Sequence, residues 1–495
     1  MNYQSTRNTG LSLTAAEAIM QGLSRDGGLF VPENVPQLSA DLIRSLTDLP
    51  YAERAAEIMK LYLSGFSEEE IRTFTQTAYR NFDTESAAPL HRLDEKTSFM
   101  ELWHGPTCAF KDVALQILPH LLTASMRKTD ETKKVCILVA TSGDTGKAAL
   151  EGFRDVDGTA ILIFYPRDGV SDVQKLQMQS QAGNNVSVCA VEGNFDDTQT
   201  GVKQIFSDPE TAKRLADQGW FLSSANSINW GRLLPQIVYY VSAYCDLLRE
   251  GAIVFGEEIS FCVPTGNFGD ILAGYYAKRM GLPIKKLICA SNSNDVLTEF
   301  FRTGTYDRNR PFYTTVSPSM DILISSNLER LIFDMSGRDP AFVSSCMEQL
   351  KHNGQYDVGS EILEALKEIF WAGCCDEDGT KAQIGKVWHK YGYLMDTHTA
   401  VAHQVLEQYR EREKSEENVV VVSTASPFKF CNAVLEGIGE TGESSGLAAL
   451  SKLESVTGLA APKPLSALRS ASVRFADSVE KEQMNTVVEQ FLAGR

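Results

Sequence analysis

Residues 135–153 read VCILVATSGDTGKAALEGF, a short apolar run followed by a turn of small polar residues and then by a helical pattern. The same order recurs at residues 159–179 (TAILIFYPRDGVSDVQKLQMQ), 259–280 (ISFCVPTGNFGDILAGYYAKRM) and 418–437 (NVVVVSTASPFKFCNAVLEG). Buried strands that alternate with helices predict an α/β fold whose parallel sheet is covered by helices. Because ligands of such sheets bind beyond the carboxyl ends of the strands, the turns after these runs are the candidate functional positions.

The N-terminal part of the chain has a different pattern. Helical stretches such as LTAAEAIMQGL and YAERAAEIMKLYL lie on either side of the turn DGGLFVPE, which predicts a mainly helical N-terminal region. We predict an N-terminal domain over residues 1–95 and a catalytic region over residues 96–495. Within the catalytic region we expect a smaller mobile subdomain at 135–225 and a large subdomain at 226–495.

Composition argues against several classes of partner. The 495 residues carry a formal net charge of −17 and no long basic run, so nucleic acid is not an expected partner. The chain shows neither a secretory signal pattern nor the roughly 20 consecutive apolar residues of a membrane span, and we expect a cytoplasmic protein. The ten cysteines form no CxxC pair and the seven histidines no HExxH motif, so no metal site is expected.

The turn at residues 265–269, TGNFG, is the first candidate ligand loop. Gly266 and Gly269 allow backbone N–H groups to converge at the start of a helix that begins near Asp270. Converging N–H groups at a helix start form an anion site suited to a phosphate monoester. A tight strand-to-helix turn without a ligand is the alternative that these residues leave open.

The turn SGDTG at residues 142–146 offers similar geometry at another helix start. The hydroxyl and N–H groups of Ser142, Asp144 and Thr145 would suit the carboxylate of an amino acid. The same side chains can also cap a helix without any ligand.

A nucleotide P-loop at this turn is disfavoured by the spacing. The motif requires GxxxxGK[ST], whereas Gly143 stands too close to Gly146, and Ala148 occupies the position of the magnesium-binding hydroxyl. ATP is therefore not an expected ligand.

Two further stretches carry polar side chains that could contact a ligand. In SSANSINWGR, Asn226 and Arg232 lie on a stretch with polar groups about one helical turn apart, and Arg232 can bind a phosphate or carboxylate or form a structural ion pair. Thr424 follows the apolar run at residues 419–422, where its hydroxyl would face the crevice or cap the strand.

Lys111 is the candidate reactive amine. It follows an apolar pair in HGPTCAFKD, residues 104–112, and partial desolvation there would lower the pKa of its ammonium and make the amine a nucleophile or base. A solvated charge is the ordinary alternative for a lysine.

One cofactor, pyridoxal phosphate, accounts for most of the candidate groups together: its aldehyde suits Lys111, its phosphate the glycine loop and its ring nitrogen the Thr424 hydroxyl.

Seven segments of the chain resemble the threonine synthase family, which belongs to the tryptophan-synthase-β-like class of pyridoxal-phosphate enzymes. The resemblance covers nearly the whole chain and implies two parallel or mixed sheets flanked by helices, with a mainly helical N-terminal region. The segments are STRN (5–8), QGLSRDGGLFVPE (21–33), HGPTCAFKDVALQ (104–116), ATSGDTGKAA (140–149), SSANSINWGR (223–232), PTGNFGD (264–270) and STASPFKF (423–430).

The resemblance also implies roles for individual residues. Lys111 is similar to the Schiff-base lysine, and Thr424 to the hydroxyl at the pyridine nitrogen. Ser142, Asp144 and Thr145 are similar to the loop that binds the substrate carboxylate near the cofactor's ring hydroxyl. The residues similar to the cofactor-phosphate loop are Gly266, Asn267, Phe268, Gly269 and Asp270. The candidates for other substrate contacts are Lys147, Asn226 and Arg232.

The implied reaction converts O-phospho-L-homoserine and water into L-threonine and phosphate, as the last step of threonine biosynthesis in a monomer or homodimer. Two alternatives stay open. A phospholyase would perform the elimination but release 2-oxobutyrate and ammonia. A non-catalytic homologue would bind the cofactor and serve as an interaction protein, although the retained Lys111 and Thr424 argue against it.

Overall fold

The computed structural model describes residues 1–141, 143–167 and 170–495. Its strands, in chain order, are β1 (Asn2–Ser5), β2 (Asn8–Thr14), β3 (Phe30–Pro32), β4 (Leu90–Arg92), β5 (Thr97–Glu101), β6 (Lys134–Ala140), β7 (Thr159–Pro166), β8 (Val186–Val191), β9 (Trp220–Ser223), β10 (Ile259–Pro264), β11 (Ile284–Ser291), β12 (Thr305–Asp307), β13 (Gln355–Asp357), β14 (Phe370–Cys374), β15 (Val419–Ser423) and β16 (Ser478–Val479).

The helices cover both sheets and form most of the N-terminal region. In chain order they are α1 (Ala15–Gln21), α2 (Ala40–Thr47), α3 (Tyr51–Met59), α4 (Glu68–Tyr79), α5 (Lys111–Leu115), α6 (Leu118–Lys128), α7 (Asp144–Phe153), α8 (Asp172–Gln179), α9 (Phe195–Ser207), α10 (Pro209–Asp217), α11 (Trp230–Arg249), α12 (Gly269–Arg279), α13 (Val296–Thr303), α14 (Leu328–Met335), α15 (Pro340–Asn353), α16 (Gly359–Ile369), α17 (Glu377–Tyr391), α18 (Thr397–Glu413), α19 (Cys431–Gly437), α20 (Gly446–Thr457), α21 (Lys463–Ser466) and α22 (Met484–Leu492). Short 3₁₀ turns occupy Pro318–Met320, Pro427–Lys429, Ala467–Ser470 and Lys481–Gln483.

The larger sheet has the strand order β14-β11-β10-β15-β5-β4, and its neighbouring strands are parallel except for the edge pair β4 and β5. Its central strand β15 is buried along its whole length. Val420 and Val422 pack into the core that contains α11, while Val419 and Val421 pack into the core that contains α18. Burial on both faces explains why this strand is a continuous apolar run.

The smaller sheet, β16-β8-β7-β6-β9, is parallel throughout. Its edge strand β16 comes from the far C-terminal part of the chain, and Met484 and Val488 of α22 share an apolar core with Leu138 and Leu162 of the sheet. The C-terminal segment therefore covers this sheet. The predicted α/β fold is confirmed, whereas the subdomain boundaries stay predictions.

The N-terminal region is held against α11 by large buried side chains. The rings of Tyr3 and Tyr62 each lie 5.5 Å from the Trp230 ring, measured between centroids. Arg54 Nη1 lies 2.7 Å from Asp246 Oδ1, and both side chains are buried.

Within the described ranges, none of the helices combines the length and apolar character needed to cross a membrane.

Close packing of α7 against α5 sets the position of the segment that carries Lys111. Gly152 of α7 faces the Leu115 carbonyl of α5, and a Cβ atom at Gly152 would lie 2.0 Å from that oxygen. The two helices can approach this closely only because position 152 has no side chain.

We predict that Gly152→Ala lowers the free energy of unfolding by about 1–3 kcal/mol, since the added methyl group must push α7 away from α5. Urea unfolding followed by circular dichroism measures the change. Gly10→Ala is the control, because the nearest atom to its Cβ position is the side-chain oxygen of Asn8 at 3.2 Å. Equal stability of the two variants would contradict close contact between α5 and α7.

Candidate active site

Three loops meet at the carboxyl edge of the larger sheet, because β15 lies between β10 and β5 and all three strands are parallel. The Phe110 N–H donates a hydrogen bond to the Thr424 carbonyl at 2.8 Å, and Ala109 forms an isolated antiparallel bridge with Ala425. Lys111 follows Phe110 directly. Lys111 and Thr424, predicted from separate motifs, are thereby neighbours in the fold.

Lys111 is a half-buried residue at the start of α5, with Nζ 4.3 Å from the centre of the Phe110 ring. Within the part of the chain that the structure describes, no group accepts a hydrogen bond from this Nζ. Desolvation lowers the pKa of Lys111 to about 8, the Asp144 carboxylate opposes the shift, and the Arg232 guanidinium adds to it. Asp144 and Arg232, two of the charges that act on Lys111, are residues that the sequence assigned to the same site.

The glycine loop before α12 is tightly packed at Gly266 and includes one left-handed residue. A Cβ atom at Gly266 would lie 2.5 Å from the Ser319 carbonyl oxygen, and Phe268 adopts the left-handed region with φ 63°. Ser325 Oγ donates to the Gly266 carbonyl at 2.7 Å, which gives that oxygen a partner within the protein. The loop is thus fixed before any ligand binds.

The N–H groups of this loop are available to an anion. No acceptor among residues 1–141, 143–167 and 170–495 takes the N–H of Gly266, Asn267, Phe268 or Gly269. Unpaired N–H groups that surround a helix start form an anion site, and they fit the phosphate of the predicted cofactor.

Asp270 follows the loop, and its carboxylate is turned toward α11. Its Oδ1 accepts hydrogen bonds from the hydroxyls of Tyr239 at 2.6 Å and Tyr240 at 2.8 Å. Burial raises the pKa of Asp270 to about 6. Because a carboxylate would repel a phosphate, the group that Asp270 can offer to the anion site is its backbone N–H.

Arg232 is a buried cation near the start of α11. Its Nη1 donates to the Ala225 carbonyl at 2.7 Å, whereas its buried Nε has no partner in the described part of the chain. No carboxylate among those residues forms an ion pair with Arg232. Desolvation lowers the pKa of Arg232 to about 10. A buried guanidinium without a carboxylate partner is a candidate site for an external anion.

The turn before α7 contains the predicted carboxylate-binding loop, of which Ser142 lies outside the described residues. Thr141 Oγ1 accepts hydrogen bonds from the N–H groups of Gly143 at 3.0 Å and Gly146 at 2.9 Å, which shapes the turn. Asp144 begins α7 and is buried, and the partly exposed Thr145 follows it. Asp144 and Thr145 thus lie at the helix start where the sequence placed them.

The three remaining candidates, Thr424, Lys147 and Asn226, differ in whether their side chains are free to bind a ligand. The Thr424 hydroxyl has no hydrogen-bond partner in the described residues and is free to bond a ligand. Lys147 lies 3.4 Å from Glu151 and also donates to Gln181, so its charge is already paired. Asn226 is exposed, and its side chain accepts from Ser227. The roles of Lys147 and Asn226 stay predictions.

Lys429 is a site residue that the sequence analysis did not identify. Its side chain is fully buried, and Nζ lies 2.6 Å from Asp144 Oδ1 and donates to the Thr107 carbonyl at 3.0 Å. Lys429 also lines a cleft of about 620 Å³, which Lys111 and Thr424 do not line. The available sequence signal was a lysine between two phenylalanines in SPFKF, shortly after the strand end at Ser423.

Family models match consecutive parts of the chain. "Threonine synthase N terminus" matches residues 2–79, "Pyridoxal-phosphate dependent enzyme" residues 83–425 and "Threonine synthase, C-terminal" residues 399–488. The chain belongs to the threonine synthase family. Since that family is pyridoxal-phosphate-dependent, the predicted cofactor is confirmed. Lys111, the loop N–H groups and the Thr424 hydroxyl fit the aldehyde, phosphate and ring nitrogen of this cofactor.

Individual relatives agree with the family match. "Threonine synthase" of Pseudomonas aeruginosa is 40% identical over 442 residues, which are 89% of this chain and 91% of that protein. "Threonine synthase-like 1" of Macaca fascicularis is 42% identical over 434 residues, or 86% of this chain, but this chain spans 58% of that protein. The crystal structure of "PLP bound Threonine synthase from Brucella melitensis" has a TM-score of 0.88 at 39% identity and covers 99% of this chain and 98% of its own. The predicted threonine-synthase fold is confirmed.

We predict that the Lys111 amine in the cofactor-free protein becomes reactive as pH rises through about 8, because its neutral form is the nucleophile and desolvation lowers its pKa. The measurement is the rate of acetylation at Lys111 as a function of pH, read by mass spectrometry. Exposed Lys213 in the same sample is the internal reference. A midpoint for Lys111 near the ordinary lysine value of about 10.4 would contradict a desolvated amine.

Proposed function

We propose that this protein is a threonine synthase, which converts O-phospho-L-homoserine and water into L-threonine and phosphate. The observation that carries the proposal is Arg232, a buried cation without a carboxylate partner in the described residues, whose charge helps to lower the pKa of Lys111. The glycine loop supplies a separate anion site before α12. A cofactor with one phosphate and a substrate with another require two such sites.

The two anion sites differ in the chemistry they offer. The N–H groups of Gly266, Asn267, Phe268 and Gly269 form a fixed cradle, which suits the phosphate of a resident cofactor. Arg232 offers a charged group that can stabilise a leaving phosphate as negative charge develops on it. We therefore assign the cofactor phosphate to the loop and the substrate phosphate to Arg232.

Pyridoxal phosphate, when bound, supplies an electron sink for negative charge at the substrate α-carbon. Lys111, whose pKa of about 8 leaves a larger share of the amine neutral near physiological pH than an exposed lysine has, takes the α-proton and is placed to move protons at Cβ. The Thr424 hydroxyl donates a hydrogen bond to the ring nitrogen. The turn with Asp144 and Thr145 holds the substrate carboxylate through its N–H groups at the start of α7.

Water has to be excluded until the elimination is complete, because early hydrolysis would yield 2-oxobutyrate. The loop carrying Lys111 belongs to the larger sheet, and the turn with Asp144 belongs to the smaller one. The substrate would lie between these sheets, so movement of the predicted smaller subdomain at 135–225 would close the site.

The compartment and assembly are also part of the proposal. All ten cysteines are free thiols, nine of them buried, as is usual in a reducing compartment. We propose a cytoplasmic protein that works as a monomer or homodimer.

We predict that the purified protein with pyridoxal phosphate forms threonine and free phosphate from O-phosphohomoserine in equal amounts. Carbon and phosphorus NMR follow both products, and Lys111→Ala should form neither, because it lacks the reactive amine. Phosphate with 2-oxobutyrate would make the protein a phospholyase, and unchanged substrate would favour the non-catalytic homologue.

We predict that Arg232→Met raises the KM for O-phosphohomoserine by about 10–100-fold, which is the usual value of a hydrogen bond to a charged group. Cofactor affinity, measured by fluorescence titration, should change little, since the loop N–H groups hold the cofactor phosphate. Arg302→Met is the control, because Arg302 pairs with Glu299 at 2.9 Å on an exposed surface. A loss of cofactor affinity at unchanged KM would reverse the assignment of the two phosphates.

A further inference from the structure

An ion pair joins the carboxyl edges of the two sheets. Asp144 begins α7, directly after β6 of the smaller sheet, and Lys429 lies in a 3₁₀ turn after β15 of the larger sheet. The distance from Lys429 Nζ to Asp144 Oδ1 is 2.6 Å, and the exposed fractions of the two side chains are 0% and 4%. Gln174 donates a further hydrogen bond to the same carboxylate at 2.8 Å.

A carboxylate at this place conflicts with the proposed function unless its charge is neutralised. The turn that contains Asp144 is the proposed site of the substrate carboxylate, and two nearby carboxylates repel each other. Burial alone would favour the neutral acid, but the charges of Lys429 and Lys111 lower the pKa of Asp144 to about 2. Asp144 is therefore ionised at every physiological pH, and the site needs a cation beside it.

The same ammonium also fixes the loop that precedes Lys111. Lys429 Nζ donates to the Thr107 carbonyl at 3.0 Å. Thr107 in turn donates from its N–H and Oγ1 to the Asp112 carboxylate, at 2.8 and 2.7 Å. Asp112 is the residue after Lys111, so the hydrogen bonds from Lys429 reach both flanks of the reactive lysine.

We propose that Lys429 is a positioning residue that neutralises Asp144 and joins the turn before α7 to the loop before Lys111, so that the site admits the carboxylate of an α-amino-acid substrate. This inference rests on the proposed function and adds a residue that binds neither substrate nor cofactor directly. Lys429 acts through Asp144 and through the Thr107 loop.

Lys429 also sets the charge balance around Lys111. Charges of both signs act on the Lys111 amine: the carboxylates of Asp144 and Asp270 favour its protonation, and the cations of Arg232 and Lys429 oppose it. Without Lys429, the negative charge of Asp144 would act on Lys111 uncompensated. The Lys111 amine would then hold its proton to higher pH.

The test compares Lys429→Met, Lys429→Arg and the double variant Asp144→Asn/Lys429→Met with the wild type. Lys381→Met is the matched control, because Lys381 lines the same cleft but pairs with Glu436 at 2.7 Å on the surface. One readout is KM and kcat for O-phosphohomoserine. The other is the pH midpoint of Lys111 acetylation in the cofactor-free protein, which does not depend on any substrate.

For Lys429→Met we expect a KM raised by at least about 10-fold and a Lys111 midpoint raised by about one pH unit, the usual effect of an unpaired neighbouring charge. Lys429→Arg should restore both values in large part, since it keeps the charge. The double variant should return the Lys111 midpoint toward the wild-type value, because it removes both charges. Lys381→Met should change neither readout.

An unchanged or lowered Lys111 midpoint in Lys429→Met would overturn the proposal. If that variant does not fold, the double variant decides: a folded protein with a wild-type midpoint supports charge neutralisation, and a raised midpoint overturns it. If the wild type forms no threonine, the proposed function fails. The acetylation midpoints of the cofactor-free variants then still decide whether Lys429 neutralises Asp144.

Discussion

The parallel pairing of β10, β15 and β5 is the constraint on which the site depends. Each of these strands ends at the same edge of the larger sheet, and each is followed by a loop that carries candidate site residues. The bond from the Phe110 N–H to the Thr424 carbonyl then fixes two of the loops against each other. Lys111 and Thr424 become neighbours in this way, although they lie far apart in the sequence.

Buried polar groups at this edge fall into two classes: those that have partners within the protein, and those that lack them and are candidates for ligand binding. Asp144 pairs with Lys429 and accepts a hydrogen bond from Gln174, and Asp270 Oδ1 accepts from two tyrosine hydroxyls, so each of these carboxylates has hydrogen-bond donors inside the protein. Arg232 and the N–H groups of the glycine loop lack such partners among the described residues. Since an uncompensated buried group is costly, its presence is explained most simply by a ligand that completes it.

Local features of the sequence predicted the parts of the site that depend on local conformation. The glycine turns before α7 and α12 were visible because a strand pattern changes to a helix pattern there, and the structure has both helices at those places. The role of Lys429 was not visible, because it depends on which loops of two different sheets come into contact. The sequence also did not predict the pairing of β16 with β8, which joins distant parts of the chain. Nor did it predict the hydrogen bond between Tyr239 and the Asp270 carboxylate. Such contacts follow from the packing of whole layers and leave no local pattern.

The net charge of the chain also explains why the cations that would attract the substrate, Arg232 and Lys429, are buried. The whole chain carries a net charge of −17 and repels anions at long range, yet its proposed substrate has both a carboxylate and a phosphate. Attraction therefore has to arise at short range, where low dielectric strengthens each interaction. Arg232, the N–H groups at two helix starts and the neutralisation of Asp144 by Lys429 provide it within the crevice between the sheets. A solvent-exposed lysine would attract the substrate more weakly, since salt screens interactions between exposed charges.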